Sequence, residues 1–272
     1  MTSPIDLRLG RWQDVLADVT TCDAVICDPP YSARTHEAST DEALNQSGRV
    51  HGRAYEHAKT GRREKPKGSA RAPGHPRKGG AGWEERWAAN GGERRALNYD
   101  AWTGADVRAF VDSMAPRCRG WFVGFTSHDL VADYTAALEA HDRYVFAPLP
   151  FFSPGSRVRL SGDGPSSWTC WIVVARPRHA PYAKWGTLPG GYMVPPEKCE
   201  VVGGKPLALM AAIVRDYSRP GDLIVDPFCG SGTTALAAAM EGRRCITSEE
   251  KPEHYAIAKR RVEKGYQPCL LT

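Results

Sequence analysis

The chain has 272 residues, 42% of them hydrophobic and 25% charged. That is enough apolar material for a sizeable core, but no apolar run approaches the ~20 residues that a membrane span needs. A formal net charge of +5 leans toward a polyanionic partner. The eight cysteines form no Cys-x-x-Cys pair, so neither zinc nor a dithiol site is suggested.

The first thirty residues predict strand, helix, strand. Positions 5–9 alternate, positions 12–19 carry apolar residues at helical spacing, and 24–27 form a short buried-strand run ending at Asp28. From 59 to 82 there is no Leu, Val, Ile, Met, Phe, Tyr or Trp, so this stretch cannot offset its ordering entropy and is expected to be a mobile loop. Helical spacing resumes at 106–114, followed by a strand at 120–125, a helix at 130–138, a strand at 144–152 and a strongly apolar strand at 168–175. A proline- and glycine-rich stretch, 177–204, precedes a helix at 206–217, a strand at 223–225, a helix at 233–240, a strand at 244–247 and a helix at 254–262. Strands alternating with helices imply an α/β fold: a mostly parallel, doubly wound sheet with helices on both faces.

Cysteines inside apolar runs, as in Val25-Ile26-Cys27 and Cys170-Trp171-Ile172, read as small hydrophobes. The N-terminus shows no basic stretch followed by an apolar one, and with reduced thiols this gives the expectation of a cytoplasmic protein.

Two phrases at predicted strand ends carry chemistry. In the later one, Asp226-Pro227-Phe228-Cys229-Gly230-Ser231-Gly232-Thr233-Thr234 lies between a strand and a helix. Its glycines allow a tight turn and close approach of a ligand, and the helix N-terminus offers unpaired N–H groups. Glu249 ends the next strand, where an acid can accept both hydroxyls of a ribose, the logic of a nucleoside-containing cofactor held across the sheet edge. A Gly-x-Gly turn alone is weak evidence, and Ala235 at the third position of the dinucleotide fingerprint leaves NAD open. The earlier phrase, Asp28-Pro29-Pro30-Tyr31, directly follows a buried strand, and its prolines stiffen the turn.

The whole phrase at 226–234, with Lys205-Pro206 and Gly221-Asp222 before it and Glu249 after it, closely resembles the cofactor half of the DNA amino-methyltransferases over roughly 203–262. The tetrapeptide at 28–31 is similar to the signature with which that family binds its target base. Its position upstream of the cofactor loop resembles the permuted beta group. The resemblance implies one permuted domain over 1–272 with a Rossmann-like methyltransferase fold, whose single antiparallel strand is expected at 168–175. It implies S-adenosyl-L-methionine as cofactor, held by Asp226, Phe228, Cys229, Gly230, Ser231, Gly232, Thr233, Thr234, Glu249, Lys205 and Pro206, and double-stranded DNA as partner. A homodimer and a cognate restriction endonuclease are compatible with it.

The chemistry so implied accounts for the residue types at 28–31. An exocyclic amine is a poor nucleophile because its lone pair is delocalised into the ring. The Asp28 carboxylate accepting one N–H, and the Pro29 carbonyl the other, would localise that pair, while Tyr31 offers a face for an extruded base. Aspartate at 28 favours adenine N6, with cytosine N4 as the alternative and RNA amino-methylation behind it. A cytosine carbon-5 enzyme is rejected, because Pro268-Cys269 lies where no catalytic strand ends. Related enzymes often carry Gly-Asp near the N-terminus for the cofactor's adenine; this chain has Gly10-Arg11-Trp12, leaving Asp14 as the substitute.

The segment 32–100, read as a basic, partly disordered insertion, holds fourteen Lys or Arg against nine Asp or Glu, while the remainder balances at 22 each. All of the net positive charge therefore sits beside the tetrapeptide, where it can neutralise phosphates; a solvated insertion without a partner is the blander reading. Trp83 and Trp87 can stack on bases or pack on the body. The interval 176–204, where the beta group usually reads its target sequence, is short.

Overall fold

The computed structural model describes residues 4–37, 99–155, 168–179, 185–197 and 199–265. The segment 59–82, Trp83, Trp87 and Cys269 lie outside the described residues, as does most of the 32–100 insertion. The strands are β1 (Ile5–Leu9), β2 (Ala24–Cys27), β3 (Phe122–Thr126), β4 (Arg143–Val145), β5 (Leu149–Phe152), β6 (Thr169–Pro177), β7 (Tyr192–Met193), β8 (Leu223–Asp226) and β9 (Arg244–Glu249). The helices are α1 (Trp12–Val15), α2 (Ala33–Glu37), α3 (Gly104–Met114), α4 (Val131–Ala140), α5 (Leu207–Tyr217), α6 (Thr233–Met240) and α7 (Pro252–Lys264).

All these strands join one sheet in the order β1-β9-β8-β2-β3-β6-β5-β7, with β4 also paired to β6. The pairs from β1 through β3 are parallel, and β6 runs antiparallel to β3, β4 and β5. The single reversed strand is therefore β6, which contains the run expected to reverse. This is a mostly parallel, Rossmann-like α/β architecture, wound on both faces.

Alternation of side chains along β2 builds the two cores. Ala24 and Ile26 join Leu209, Ile213 and Val214 of α5 and Ala235 and Ala237 of α6. Val25 and Cys27 join Val107 and Phe110 of α3 and Tyr134 and Leu138 of α4 on the opposite face. Burying one side chain of leucine or phenylalanine size contributes roughly 1.5–3 kcal/mol, so these two clusters hold the helices to the sheet.

Three elements differ from the sequence reading for identifiable reasons. The helix expected over 12–19 stops at Val15, whose carbonyl accepts the Arg8 guanidinium at 2.6 Å and so bonds outside the helix. The helix expected from Asp106 begins at Gly104, because Thr103 and Asp106 form a capping box, with the Thr103 N–H donating to Asp106 Oδ2 at 2.8 Å. The strand expected over 144–152 divides into β4 and β5. Between the pairs Val145↔Ala175 and Leu149↔Ile172 it holds one residue more than β6, with Pro148 unable to donate to the ladder.

Arg143 is 3% exposed and donates to the carbonyls of Gly120 (2.8 Å), Ala115 (3.0 Å) and Cys118, tying β4 to the turn before β3. Arg143→Met would take this donor from the Gly120 and Cys118 carbonyls, while Ala115 O keeps the Cys118 N–H at 3.3 Å. Denaturant unfolding should then show a loss of about 3 kcal/mol.

Candidate active site

The register of the central strands positions the site. β2 and β8 are parallel neighbours with Val25 opposite Val225, so the turns that follow them leave the same edge of the sheet side by side. Between them opens a cleft of about 690 Å³. It is lined by Asp28, Pro29, Pro30 and Tyr31 from one turn and by Phe228, Cys229, Gly230, Ser231, Thr233 and Thr234 from the other. Glu249 enters from the end of β9, and Lys205 from the segment before α5.

Three expected site residues are not among the lining residues. Asp226 is 1% exposed and lies under the loop, accepting the Phe228 N–H at 3.0 Å through Oδ1. Gly232 caps α6 with φ +80, a left-handed conformation in which an added Cβ would stand 3.3 Å from Ala258 Cβ. Pro206 is buried immediately before α5. Asp14 also falls outside the lining, whereas Gly10, Arg11, Trp12 and Gln13 contribute to it.

The glycine loop is braced from three sides. Cys229 N–H donates to the Ser248 carbonyl at 2.8 Å and Gly230 N–H to Glu249 Oε2 at 2.8 Å. Arg261 of α7 donates to Ser231 O and Ser231 Oγ, both at 2.6 Å, and to Thr233 Oγ1 at 3.2 Å. Phe228 packs in an aromatic cluster with Phe110 (5.2 Å), Trp102 (5.3 Å) and Trp12 (6.4 Å), so the indoles of two tryptophans wall the cleft. Both the Trp102 backbone, which donates to Tyr31 O at 2.9 Å, and the Ser32↔Trp102 bridge bring the flanks of the basic segment to this mouth.

At the tetrapeptide, the Tyr31 hydroxyl donates to Asp28 Oδ1 at 3.0 Å, and Lys205 Nζ bonds Asp28 Oδ2. The Tyr31 ring is 8% exposed, and burial raises the phenol well above its ordinary range, keeping it a neutral donor. Its hydroxyl also lies 2.7 Å from Cys170 Sγ. Cys170 is thus a member of the site, which its place in an apolar run concealed. Lys205, expected beside the cofactor, sits instead on Asp28, with its ammonium 5.2 Å from the Tyr31 ring centre and 5.0 Å from that of Phe125.

Sequence reasoning missed Trp12, Trp102, Cys170 and Arg261. The tryptophans and Cys170 have no motif to mark them. Arg261 left one signal: it is a basic residue on the last predicted helix, and a helix crossing the glycine loop needs a donor for the loop's exposed carbonyls.

Burial raises Asp226 to about 7, further helped by the nearby charges of Asp28 and Glu249 and opposed by its hydrogen bonds. The unfolded carboxyl titrates near 3.8, so between pH 4 and 7 the folded state binds the extra proton. Stability from this group is full below the unfolded value and falls as pH rises toward 7. Thermal unfolding across pH 4 to 8 should show that decline, and Asp226→Asn should flatten it while stabilising the protein at pH 8 by a few kcal/mol at most.

Residues 199–260 match the family described as DNA methylase. Over 59 residues the chain is 42% identical to the type II methyltransferase M2.DpnII of Streptococcus pneumoniae, and over 60 residues 42% identical to M2.MboI of Moraxella bovis. Each alignment covers 22% of this chain and 22% of the relative, so the matched segment spans about a fifth of either protein. Among solved structures, the M1.HpyAVI–SAM complex aligns with a TM-score of 0.60 at 18% identity, covering 95% of this chain and 98% of that one. PvuII DNA methyltransferase, described as cytosine-N4-specific, aligns with a TM-score of 0.56 at 13% identity, covering 100% and 89%. The shared architecture extends over nearly the whole chain, and the sequence match to the DNA methylase family model lies in residues 199–260.

Proposed function

We propose that the protein is an S-adenosyl-L-methionine-dependent DNA methyltransferase that acts on the exocyclic amine of a base turned out of the duplex, adenine N6 in the first place. The observation that carries this reading is the junction of the 28–31 turn and the 226–234 loop in one cleft, with an acid on each side.

The cleft fits the cofactor by its own chemistry. An added Cβ at Gly230 meets no heavy atom within 4 Å and would project into open space, so the glycine keeps the floor clear for a ligand. Glu249 accepts the N–H groups of Gly230 and Lys251 (3.1 Å) on its two oxygens, which leaves lone pairs for ribose hydroxyls. Phe228, Trp12 and Trp102 offer apolar faces to a purine, and Thr233 and Thr234 open α6 with hydroxyls. When bound, S-adenosylmethionine supplies an electrophilic methyl group.

The chain's own residues prepare the other reactant. Asp28 accepts one N–H of the base amine and the Pro29 carbonyl the other, so that the nitrogen lone pair leaves conjugation with the ring. Tyr31, donating to Asp28 Oδ1, fixes the carboxylate's orientation. Asp28 then holds the proton that the nitrogen sheds. The rigid proline turn supplies both acceptors without reorganisation.

The surplus of Lys and Arg in the 32–100 insertion, whose flanks meet at the Ser32↔Trp102 bridge beside the cleft, supports a double-stranded DNA partner, and the type II designation of the relatives supports a cognate restriction endonuclease. An aspartate at 28 supports adenine. Among the described residues no helix is long and apolar enough to cross a membrane.

Parallel incubations of mixed-sequence DNA and of RNA with labelled cofactor, followed by nucleoside analysis, should yield N6-methyladenine in the DNA. N4-methylcytosine would move the reading to cytosine, and label in RNA alone would overturn the DNA assignment. Asp28→Ala should lower the transfer rate by about 10³-fold, the scale of a lost preorganised acceptor, with cofactor affinity unchanged by calorimetry. Glu249→Ala and Arg261→Met should do the reverse, weakening cofactor binding by about 10-fold or more through loss of the ribose acceptor and of the loop's brace.

A further inference from the structure

The amine-accepting atoms of Asp28 are already engaged. Oδ1 accepts from Tyr31 and Oδ2 from Lys205, whose side chain is only 10% exposed. The Lys205 ammonium stands between two aromatic rings, 5.2 Å from that of Tyr31 and 5.0 Å from that of Phe125. A nitrogen carrying N–H groups, donating to Asp28 and lying over the face of Tyr31, is what the bound base would present. Lys205 reproduces that arrangement with a group from the protein itself.

We infer that Lys205 is a gate that fills the amine subsite of the base-free enzyme and must withdraw before a base enters. The inference rests on the amine-acceptor role proposed for Asp28. The backbone around Lys205 is built to allow the withdrawal. Gly203, at φ +84, and Gly204 precede it, and the Lys205 ammonium also donates to the Gly203 carbonyl at 3.3 Å. The strap that carries these glycines is held at its two ends: Glu200 pairs with Arg260 of α7, and Glu197 accepts the Leu207 N–H at 2.8 Å where α5 begins. Between those anchors Val202 and Gly203 are exposed, and residues 200–205 line the cleft. The ammonium can therefore move without displacing either helix. The exchange also selects for the correct ligand, because only a group able to donate to Asp28 replaces what Lys205 gives up.

The test uses the full chain and mixed-sequence DNA that the wild type methylates. Removing a positive charge from a DNA-binding cleft by itself weakens binding. A gate predicts the opposite: Lys205→Ala and Lys205→Met should each tighten equilibrium DNA binding about threefold or more and lower KM for DNA by the same factor, since the competent state no longer competes with the closed one. In Lys205→Ala, n-propylammonium chloride should refill the subsite and restore the weaker affinity, with tetramethylammonium chloride at equal ionic strength as control, and neither salt should distinguish itself on the wild type. Lys205→Arg, which retains a donor cation, should stay near wild-type affinity. The equilibrium measurement needs no turnover, so it is read even where a variant transfers slowly, and the isosteric Met variant serves if Ala misfolds. Unchanged or weaker DNA binding in both neutral variants overturns the gate, as does an n-propylammonium effect equal in wild type and variant. Absence of methyl transfer by the wild type itself would instead overturn the proposed function.

Discussion

The parallel pairing of β2 with β8 is the constraint on which the site depends. These two strands lie almost 200 residues apart in the chain, yet Ala24 faces Ile224 and Val25 faces Val225. In a parallel pair both chains arrive at the same edge with the same polarity, so whatever follows each strand is delivered to one place. β9 beside β8 adds Glu249, and β3 beside β2 adds Phe125 and Thr126. A proline turn, a glycine loop and carboxylates are thereby assembled in one cleft from separate elements, with two packed cores beneath to keep them fixed.

Three carboxyl groups meet at that edge, and the protein handles each differently. Glu249, raised by burial, is balanced by backbone N–H donors from Gly230 and Lys251. Asp28 is balanced by a cation and a phenol. Asp226, buried without a cation, is pushed to about 7 and serves the loop by accepting the Phe228 N–H. Like charges at short range cannot all be left uncompensated in a low dielectric. Dividing the compensation in this way keeps the two outer acids in the cleft lining, while the central one supports the turn from below.

The alternating strands and helices were legible because their periodicities are local: residues 24–27, 168–175 and 223–225 are apolar enough to be strands wherever they sit. The bulge between β4 and β5 and the early end of α1 were not, since both depend on partners elsewhere, the β6 ladder in one case and Arg8 in the other. In the site, the two motifs were legible as motifs. Cys170 was not, because inclusion in an apolar run says nothing of which neighbour it faces; only the pairing of β6 with β3 brings its sulfur to Tyr31.

The sequence by itself determined the chemistry available at each strand end: an acid in a proline-stiffened turn, a glycine loop ahead of a helix, and an acid closing the next strand. Those are properties of side-chain type and short-range backbone geometry, and they travel with the residues. Which groups stand opposite one another was decided only by the tertiary structure. Lys205 looked like a neighbour of the glycine loop along the chain, and folding carried it across the cleft to Asp28. Such a contact follows from strand order and helix packing, which are set by burial summed over the whole molecule rather than by any stretch of it.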